Sequence, residues 1–219
     1  MPGYLVHLAC CNPVILRHFV PIRIGIEAPD LLRAYNSRFG IEGAEEKWNQ
    51  IRTHVPDIPN FECMKPLLLQ EGGTHFGKSS DPDIKRFWNS LSKSDKETYF
   101  WRGYLWHLLT DAVFYQRLNF RTLMSVKVNL SSDDRDASIR REREELHRDW
   151  DRTNELIMQL YNVYATPEIC DLDIVKFDTS EPKYVSEFIL ITTIEELRGI
   201  NPLISEKSLE RIVHTLLND

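Results

Sequence analysis

The sequence predicts an all-α protein, folded as a single-domain multi-helix bundle. Apolar residues recur at intervals of three and four through most of the chain, which is the helical period. Runs with strand-like composition are short and scattered, as in residues 125–130. A length of 219 residues is enough for one domain with a sizeable core. We therefore predict one domain over residues 1–219, in which residues 165–219 form a helical C-terminal extension.

Composition is ordinary for a globular protein and gives no electrostatic reason to expect polyanion binding. Hydrophobic residues make up 42% and charged residues 27%, and the net charge is −6. An acidic chain without a basic strip of interleaved aromatics gives no strong nucleic-acid signal. The N-terminus lacks a basic region, no apolar run has the length of a membrane span, and the expected location is cytoplasmic. The cysteines form no Cys-x-x-Cys pair and are expected to be reduced: Cys10, Cys11, Cys63 and Cys170.

The N-terminal half is predicted to contain short helices joined by turns. A first helix begins near Tyr4 and ends before Pro13, because proline cannot continue a helix. Glu-Ala-Pro-Asp at 27–30 is predicted to be a turn. An amphipathic helix covers residues 43–54, and a further helix follows Asp83, a good capping residue.

The C-terminal half is predicted to contain two long helices and two shorter segments. The first long helix covers residues 94–119 and is apolar on all sides, which is typical of a buried helix. The second covers residues 131–164 and starts with capping serines. Residues 182–197 have strand-like composition in a helix-length segment, so both remain open. Ser205 is predicted to cap a final amphipathic helix.

His107 and Asp111 lie four apart inside the buried helix. Four residues are just over one turn, so both side chains project from one face, about 6 Å apart along the axis. A buried carboxylate is costly unless it is paired or binds a metal. The pair therefore predicts metal ligands, and the alternative is a buried ion pair that holds two helices together.

His147 and Asp151 repeat the spacing on the second long helix. They flank Trp150, which lies in the apolar stripe of that helix. Two His-x-x-x-Asp helices that face each other in a bundle could hold two metals. The alternative is a surface salt bridge, because charged residues crowd this segment.

Three further residues are candidate ligands on weaker grounds. His75 follows Gly72-Gly73 and precedes Gly77, and such flanking glycines let the backbone come close to a site. Asp30 follows a proline, and His7 lies in an apolar segment. Their alternatives are a loop residue, a turn residue and a core histidine. Nitrogen and oxygen ligands without thiolate suit Zn²⁺, Fe²⁺ or Mn²⁺.

The order of these motifs resembles the zinc-dependent phospholipase C family, which is related to the P1-type nucleases. The resemblance covers about residues 1–164 and is carried by His7, Gly25–Asp30, Thr74–Gly77 and Gly103–Tyr115. It implies an all-helical fold with up to three zinc ions in a cleft between helices. Residues 170–219 carry no motif of the family.

The resemblance also implies a ligand set. One metal would be held by Asp30, His75, His107 and Asp111. Asp111 would bridge to a second metal that His7 binds, and His147 with Asp151 would match the family's His-x-x-x-Glu.

Secreted members use the processed N-terminal residue as a ligand, whereas no signal peptide is expected here. The family also has another histidine before that last motif, and none lies between Asp111 and His147. We therefore expect two metals rather than three.

The function expected from this resemblance is metal-dependent hydrolysis of a phosphoester by an activated water. Zinc is the expected cofactor, with iron or manganese as alternatives, and Asp30 is both ligand and proton acceptor. The substrate would be a small-molecule or lipid phosphoester. Two other classes remain open, namely an iron-dependent helical oxidase or oxygenase with the same ligands, and a non-catalytic helical interaction module. The sequence gives no oligomeric state.

Overall fold

The computed structural model describes residues 4–70, 73–78, 81–119, 132–171, 175–178, 180–200 and 211. Within these ranges the chain is helical apart from irregular connections and one short antiparallel pair of strands, which confirms the all-α prediction. The strands are β1 (Gly77–Lys78) and β2 (Asp81–Pro82), with Gly77 opposite Pro82. No helix in the described ranges is long and apolar enough to cross a membrane.

The helices form one bundle around α3 and α7, which make the most extensive contact between described elements. A 3₁₀ turn at Gly73–His75 precedes β1, and a π-helical turn at Tyr115–Asn119 follows α7. The α-helices, in chain order, are α1 (Tyr4–Ala9), α2 (Pro13–His18), α3 (Val20–His54), α4 (Lys65–Leu68), α5 (Ile84–Ser90), α6 (Lys93–Glu97), α7 (Tyr99–Phe114), α8 (Ser132–Tyr161) and α9 (Glu187–Arg198).

Local capping explains where several helices begin. The Asn12 side chain accepts a hydrogen bond from Val14 N at 2.9 Å, and Pro13 occupies the first position of α2. The prediction that the first helix ends before Pro13 is confirmed. Asp83 accepts a hydrogen bond from Arg86 N at 2.8 Å and caps α5, as predicted.

The predicted turn at 27–30 is wrong, because these residues lie inside α3. Pro29 removes one helical hydrogen-bond donor, yet the helix continues past it. Ile22, Ile26 and Leu31, which flank this stretch in α3, are fully buried, so tertiary packing outweighs the local preference for a turn. The only non-helical backbone in α3 is at Gly40, where φ is 72°.

The predicted helix over residues 94–119 is divided into α6, α7 and the π-helical turn. The backbone of Thr98 is extended, with φ −80° and ψ 145°, and separates α6 from α7. Residues 182–197 resolve as an irregular segment followed by α9, which Ser186 caps. In the described part of the C-terminal extension, residues 165–186 are not helical. The strand-like run 125–130 and residues 201–210, where the helix predicted from Ser205 would begin, lie outside the described residues.

Two glycines let α3 and α7 cross with their backbones in contact. A β-carbon at Gly25 would lie 2.1 Å from the carbonyl oxygen of Phe100, and one at Gly103 would lie 2.1 Å from that of Ile22. No side chain fits at either position without moving a backbone. This crossing places the N-terminal part of α3 directly against the N-terminal half of α7, next to the candidate ligands on both helices.

Residues 164–171 form a strap along α3, held mainly by hydrogen bonds between side chains and backbone. The Glu27 carboxylate accepts from Thr166 N at 2.8 Å, and Lys47 Nζ donates to the Ile169 carbonyl at 2.8 Å. Glu27 and Lys47 are both buried although they are charged residue types. The strap therefore closes one side of α3 and leaves the α7 side for the ligands.

Candidate metal centre

Five of the seven predicted ligands come together in one cluster. His7 is on α1, Asp30 on α3, His75 in the 3₁₀ turn, and His107 and Asp111 on α7. The three histidines and Asp111 are at most 1% exposed. The Asp30 side chain keeps 16% exposure, so solvent reaches the cluster on the Asp30 side.

His75 lies close to His107 and to one oxygen of each aspartate. His75 Nε2 lies 3.1 Å from His107 Nε2, 3.3 Å from Asp111 Oδ2 and 3.5 Å from Asp30 Oδ1. His107 Nε2 lies 3.6 Å from Asp111 Oδ2. Ligands of a tetrahedral zinc ion at 2.0–2.2 Å are about 3.4 Å apart, so these separations suit one cation.

His7 faces the second oxygen of both aspartates. Its Nε2 lies 3.6 Å from Asp111 Oδ1 and 3.9 Å from Asp30 Oδ2. The His7 ring stacks on the His107 ring with centroids 3.9 Å apart. Each carboxylate thus has one oxygen toward His75 and the other toward His7, which is the arrangement of a bridging ligand.

Several inward-facing atoms have no hydrogen-bond partner in the described part of the chain. These atoms are His7 Nε2, Asp111 Oδ1 and Asp111 Oδ2. A buried carboxylate without a hydrogen-bond donor is unfavourable by several kcal/mol unless a nearby cation compensates it. The residues present therefore fit a bound cation for two reasons. Their nitrogen and oxygen atoms are of the types that bind metals, and the buried carboxylate has no hydrogen-bond donor to offset its charge.

The outward-facing nitrogen of each imidazole meets an oxygen. Such contacts fix the ring orientation and turn the other nitrogen toward the centre. The contacts are His107 Nδ1 to the Ile26 carbonyl at 2.8 Å, His7 Nδ1 to Thr110 Oγ1 at 2.5 Å, and His75 Nδ1 to Thr74 Oγ1 at 3.1 Å.

The turn that carries His75 is held from both sides. Gly73 has φ 49° and Phe76 has φ 56°, a left-handed conformation that is unfavourable for phenylalanine. The Phe76 ring packs edge-on against Phe87, with centroids 4.9 Å apart. The Tyr104 hydroxyl donates to the Thr74 carbonyl at 2.5 Å. Gly73 thus serves the backbone conformation that brings the imidazole to α7.

The charged groups of the cluster shift one another's pKa values. Burial and the neighbouring His107 charge lower the pKa of His7 to about 3, so that ring is neutral. Burial disfavours charge on His107 too, but Asp30 and Asp111 outweigh it and raise its pKa. The three histidines likewise lower the pKa of Asp30 and of Asp111 against the effect of burial. The raised pKa of His107 favours a proton on this ring, next to the two carboxylates.

His147 and Asp151, the other two predicted ligands, are not brought into this cluster. His147 is exposed and Asp151 is half-buried, and neither belongs to a metal-binding group among the described residues. The inward-facing acid on this part of α8 is Asp149, which is fully buried. Its carboxylate accepts backbone hydrogen bonds from three successive residues, Lys183, Tyr184 and Val185. Asp149 therefore anchors the segment before α9.

Sequence reasoning did not identify the two threonines or the role of Tyr104. Thr110 gives no sequence signal, because its contact with His7 joins residues 103 positions apart. Thr74 lies in the Thr-His-Phe-Gly motif, but the motif does not show what the hydroxyl contacts. Trp101 and Trp106 are buried and pack in the core around α7.

Comparison with family models, curated proteins and solved structures gives no significant match. The resemblance to the zinc-dependent phospholipase C family stays a prediction.

Proposed function

We propose that the protein is a metal-dependent hydrolase with a binuclear centre that acts on a phosphoester bond. One observation carries the proposal: the two oxygens of buried Asp111 face different histidines, His75 at 3.3 Å and His7 at 3.6 Å, and neither oxygen has a hydrogen-bond donor in the described part of the chain. A carboxylate so placed suits a bridge between two cations.

The residues form two overlapping ligand sets, each with donor atoms within 4.8 Å of one another. The first set is His75, His107 and Asp111, and the second is His7, Asp30 and His107. Asp111 also lies 3.6 Å from His7 Nε2 through its other oxygen, which connects the two sets. A cation held by three protein donors keeps room for water or substrate, which is typical of catalytic zinc sites. Zinc fits the donor types, and iron or manganese would fit them too.

Bound cations would supply the chemistry of phosphoester hydrolysis by lowering the pKa of a coordinated water and offsetting phosphate charge. The chain itself supplies orientation, exclusion of water and a proton acceptor. Asp30 is the one ligand with appreciable exposure, so substrate approaches on its side. One Asp30 oxygen would bind a metal, and the other would accept the proton of the attacking water. A small-molecule or lipid phosphoester is the proposed substrate class.

Metal content is the first test. Protein without a histidine tag is compared with Asp111→Asn by elemental mass spectrometry, and Glu27→Gln serves as a matched control for a buried acid outside the ligand sets. Two zinc ions per chain in wild type and in Glu27→Gln, with loss in Asp111→Asn, support the proposal. Iron in place of zinc would favour the oxidative class. No metal in any variant, with folding unaffected by chelator, would leave a helical interaction module.

Activity is the second test. Zinc-loaded protein is assayed on a phosphomonoester, a phosphodiester and phosphatidylcholine vesicles. Asp30→Asn is expected to lower kcat far more than it lowers metal content, because it removes the proton acceptor as well as one ligand charge. Absence of hydrolysis on all three substrates by zinc-replete wild type would overturn the phosphoesterase proposal.

A further inference from the structure

Two threonine hydroxyls make the same pair of contacts at two histidines of the cluster. Thr110 Oγ1 donates to the His107 carbonyl at 2.8 Å and lies 2.5 Å from His7 Nδ1. Thr74 Oγ1 donates to the Pro29 carbonyl at 2.9 Å and lies 3.1 Å from His75 Nδ1. Both hydroxyls are buried. In both cases an oxygen lies between an imidazole and a backbone carbonyl.

The hydrogen count of a hydroxyl fixes the direction of these bonds. A hydroxyl has one hydrogen, and a carbonyl oxygen can only accept. Because each threonine donates its hydrogen to a carbonyl, its oxygen is left as the acceptor toward the histidine. His7 and His75 must therefore carry hydrogen on Nδ1. His107 Nδ1 faces the Ile26 carbonyl and must carry hydrogen as well.

This tautomer leaves the inward nitrogen of a neutral ring without hydrogen. His75 Nε2 and His107 Nε2 are 3.1 Å apart, too close for two lone pairs to face each other without a cation between them. In the metal-free protein, a proton on one of the two rings relieves the repulsion between these lone pairs. In the loaded protein, a metal ion would do so. The threonines thus hold the rings in the form that a metal requires.

We propose that Thr74 and Thr110 are positioning residues that lock His75 and His7 in the Nδ1–H tautomer and thereby set the affinity of the centre for metal. The inference rests on the proposed metal-binding function. Without the hydroxyl, each ring gains by moving its hydrogen to Nε2, which lies 3.3 Å from Asp111 Oδ2 for His75 and 3.6 Å from Asp111 Oδ1 for His7. A hydrogen on Nε2 would block the nitrogen that binds the metal, and it would also point at the carboxylate that is proposed to bridge the two metals.

Valine and serine variants at both positions separate the hydroxyl from the shape of the side chain. Valine keeps the branched shape, and serine keeps the hydroxyl. Thr153→Val is the matched control, because Thr153 is 1% exposed and donates to the Trp150 carbonyl at 2.8 Å, the same contact three residues back that Thr110 makes. Thr153 lies outside the cluster.

Two readouts are needed on the full-length chain. Nitrogen-15 NMR of the histidine rings reports the tautomer in metal-free protein, and competition with a chromophoric chelator reports Zn²⁺ affinity. Each valine variant is expected to move its own histidine to the Nε2–H form and to weaken Zn²⁺ binding about 10–100-fold. The serine variants and Thr153→Val are expected to match wild type in both.

Unchanged tautomers in the valine variants would overturn the inference, as would equal losses of affinity in Thr153→Val. Serine variants as weak as valine variants would also overturn it, because the hydroxyl would then not be the cause. Wild type that binds no Zn²⁺ would overturn the proposed function and the affinity claim together, and the metal-free NMR spectra would show whether the tautomer assignment itself is correct.

Discussion

His107 Nδ1 lies 2.8 Å from the carbonyl oxygen of Ile26, so a candidate ligand on α7 is oriented by the backbone of α3. The bond is possible because Gly25 and Gly103 let the two helices touch. Asp30 lies one turn beyond Ile26, and Asp111 one turn beyond His107. The glycine crossing therefore aligns three ligands from two helices.

Gly103→Ala is expected to destabilise the fold and weaken metal binding. Alanine is favoured over glycine in a helix by about 1 kcal/mol. The added methyl would lie 2.1 Å from the Ile22 carbonyl oxygen, a backbone atom that moves only if the helices separate. Overpacking of this kind costs about 1–3 kcal/mol, so we expect net destabilisation in urea unfolding and a higher Kd for Zn²⁺.

Gly199→Ala is the control for this change, because Gly199 is exposed at the end of α9 with an ordinary φ of −68°. It is expected to leave both quantities near wild type. Wild-type stability and affinity in Gly103→Ala would mean that the crossing does not position His107.

How far the sequence predicts this site depends on whether the information is local. The spacing of His107 and Asp111 on an apolar helix is a local pattern, and the structure brings both residues into the cluster. The same spacing at His147 and Asp151 gives a shared helix face but not the direction of that face, and the structure leaves both residues outside the cluster. Packing of Trp150 and Ile157 turns Asp149 inward instead. Long-range contacts such as His7 with Thr110 leave no trace in a local pattern.

His147→Ala and Asp151→Asn are expected to retain the metal content of wild type. Both side chains lie outside the groups of residues that could hold a metal in the described ranges. Elemental mass spectrometry of the two variants beside His107→Ala checks this expectation. Loss of one metal in either variant, with normal folding, would restore the ligand role that the sequence suggested.

Asp149→Asn, between those two positions, is expected to lower stability instead. The Asp149 carboxylate accepts from Val185 N at 3.1 Å and from Lys183 N at 2.9 Å, and it pairs with Arg152 at 2.5 Å. Removing the charge leaves a buried network half satisfied, at a cost of about 3 kcal/mol. Urea unfolding of the variant and of wild type, with chelator present, measures this loss of stability. An unchanged free energy of unfolding would show that Asp149 is not an anchor.

Glu27 gives stability a pH dependence of known sign. Burial raises the pKa of its carboxyl from 4.5 to about 7, although Thr166 hydrogen bonds oppose the shift. Because the folded state holds this proton more tightly, the contribution is complete below about pH 4.5 and is lost as pH rises through about 7. The difference between 4.5 and about 7 corresponds to roughly 3 kcal/mol, as an upper figure.

Glu27→Gln is therefore expected to gain stability relative to wild type between about pH 5 and about pH 8. Free energies of unfolding with chelator present at the two pH values give the comparison. Glu42→Gln changes an exposed acid of the same helix and should show no such gain. A constant difference between Glu27→Gln and wild type across this range would contradict the assignment of Glu27 as the group responsible.

Metal binding is expected to release a proton from His107. Asp30 and Asp111 raise the pKa of this ring in the metal-free protein, against the effect of burial. Its Nε2 is also a proposed metal ligand, and a ligating nitrogen cannot keep its hydrogen. Affinity for Zn²⁺ should therefore fall as pH drops through the raised pKa of His107, because proton and metal compete for one atom.

Calorimetric titrations with Zn²⁺ in two buffers of different ionisation enthalpy count the released protons at neutral pH. Glu27→Gln is the control, since this acid lies outside the ligand sets and should not change the count. A heat of binding that is independent of the buffer would show that the centre binds metal without displacing a proton, and would place the charge that balances Asp111 on some other group.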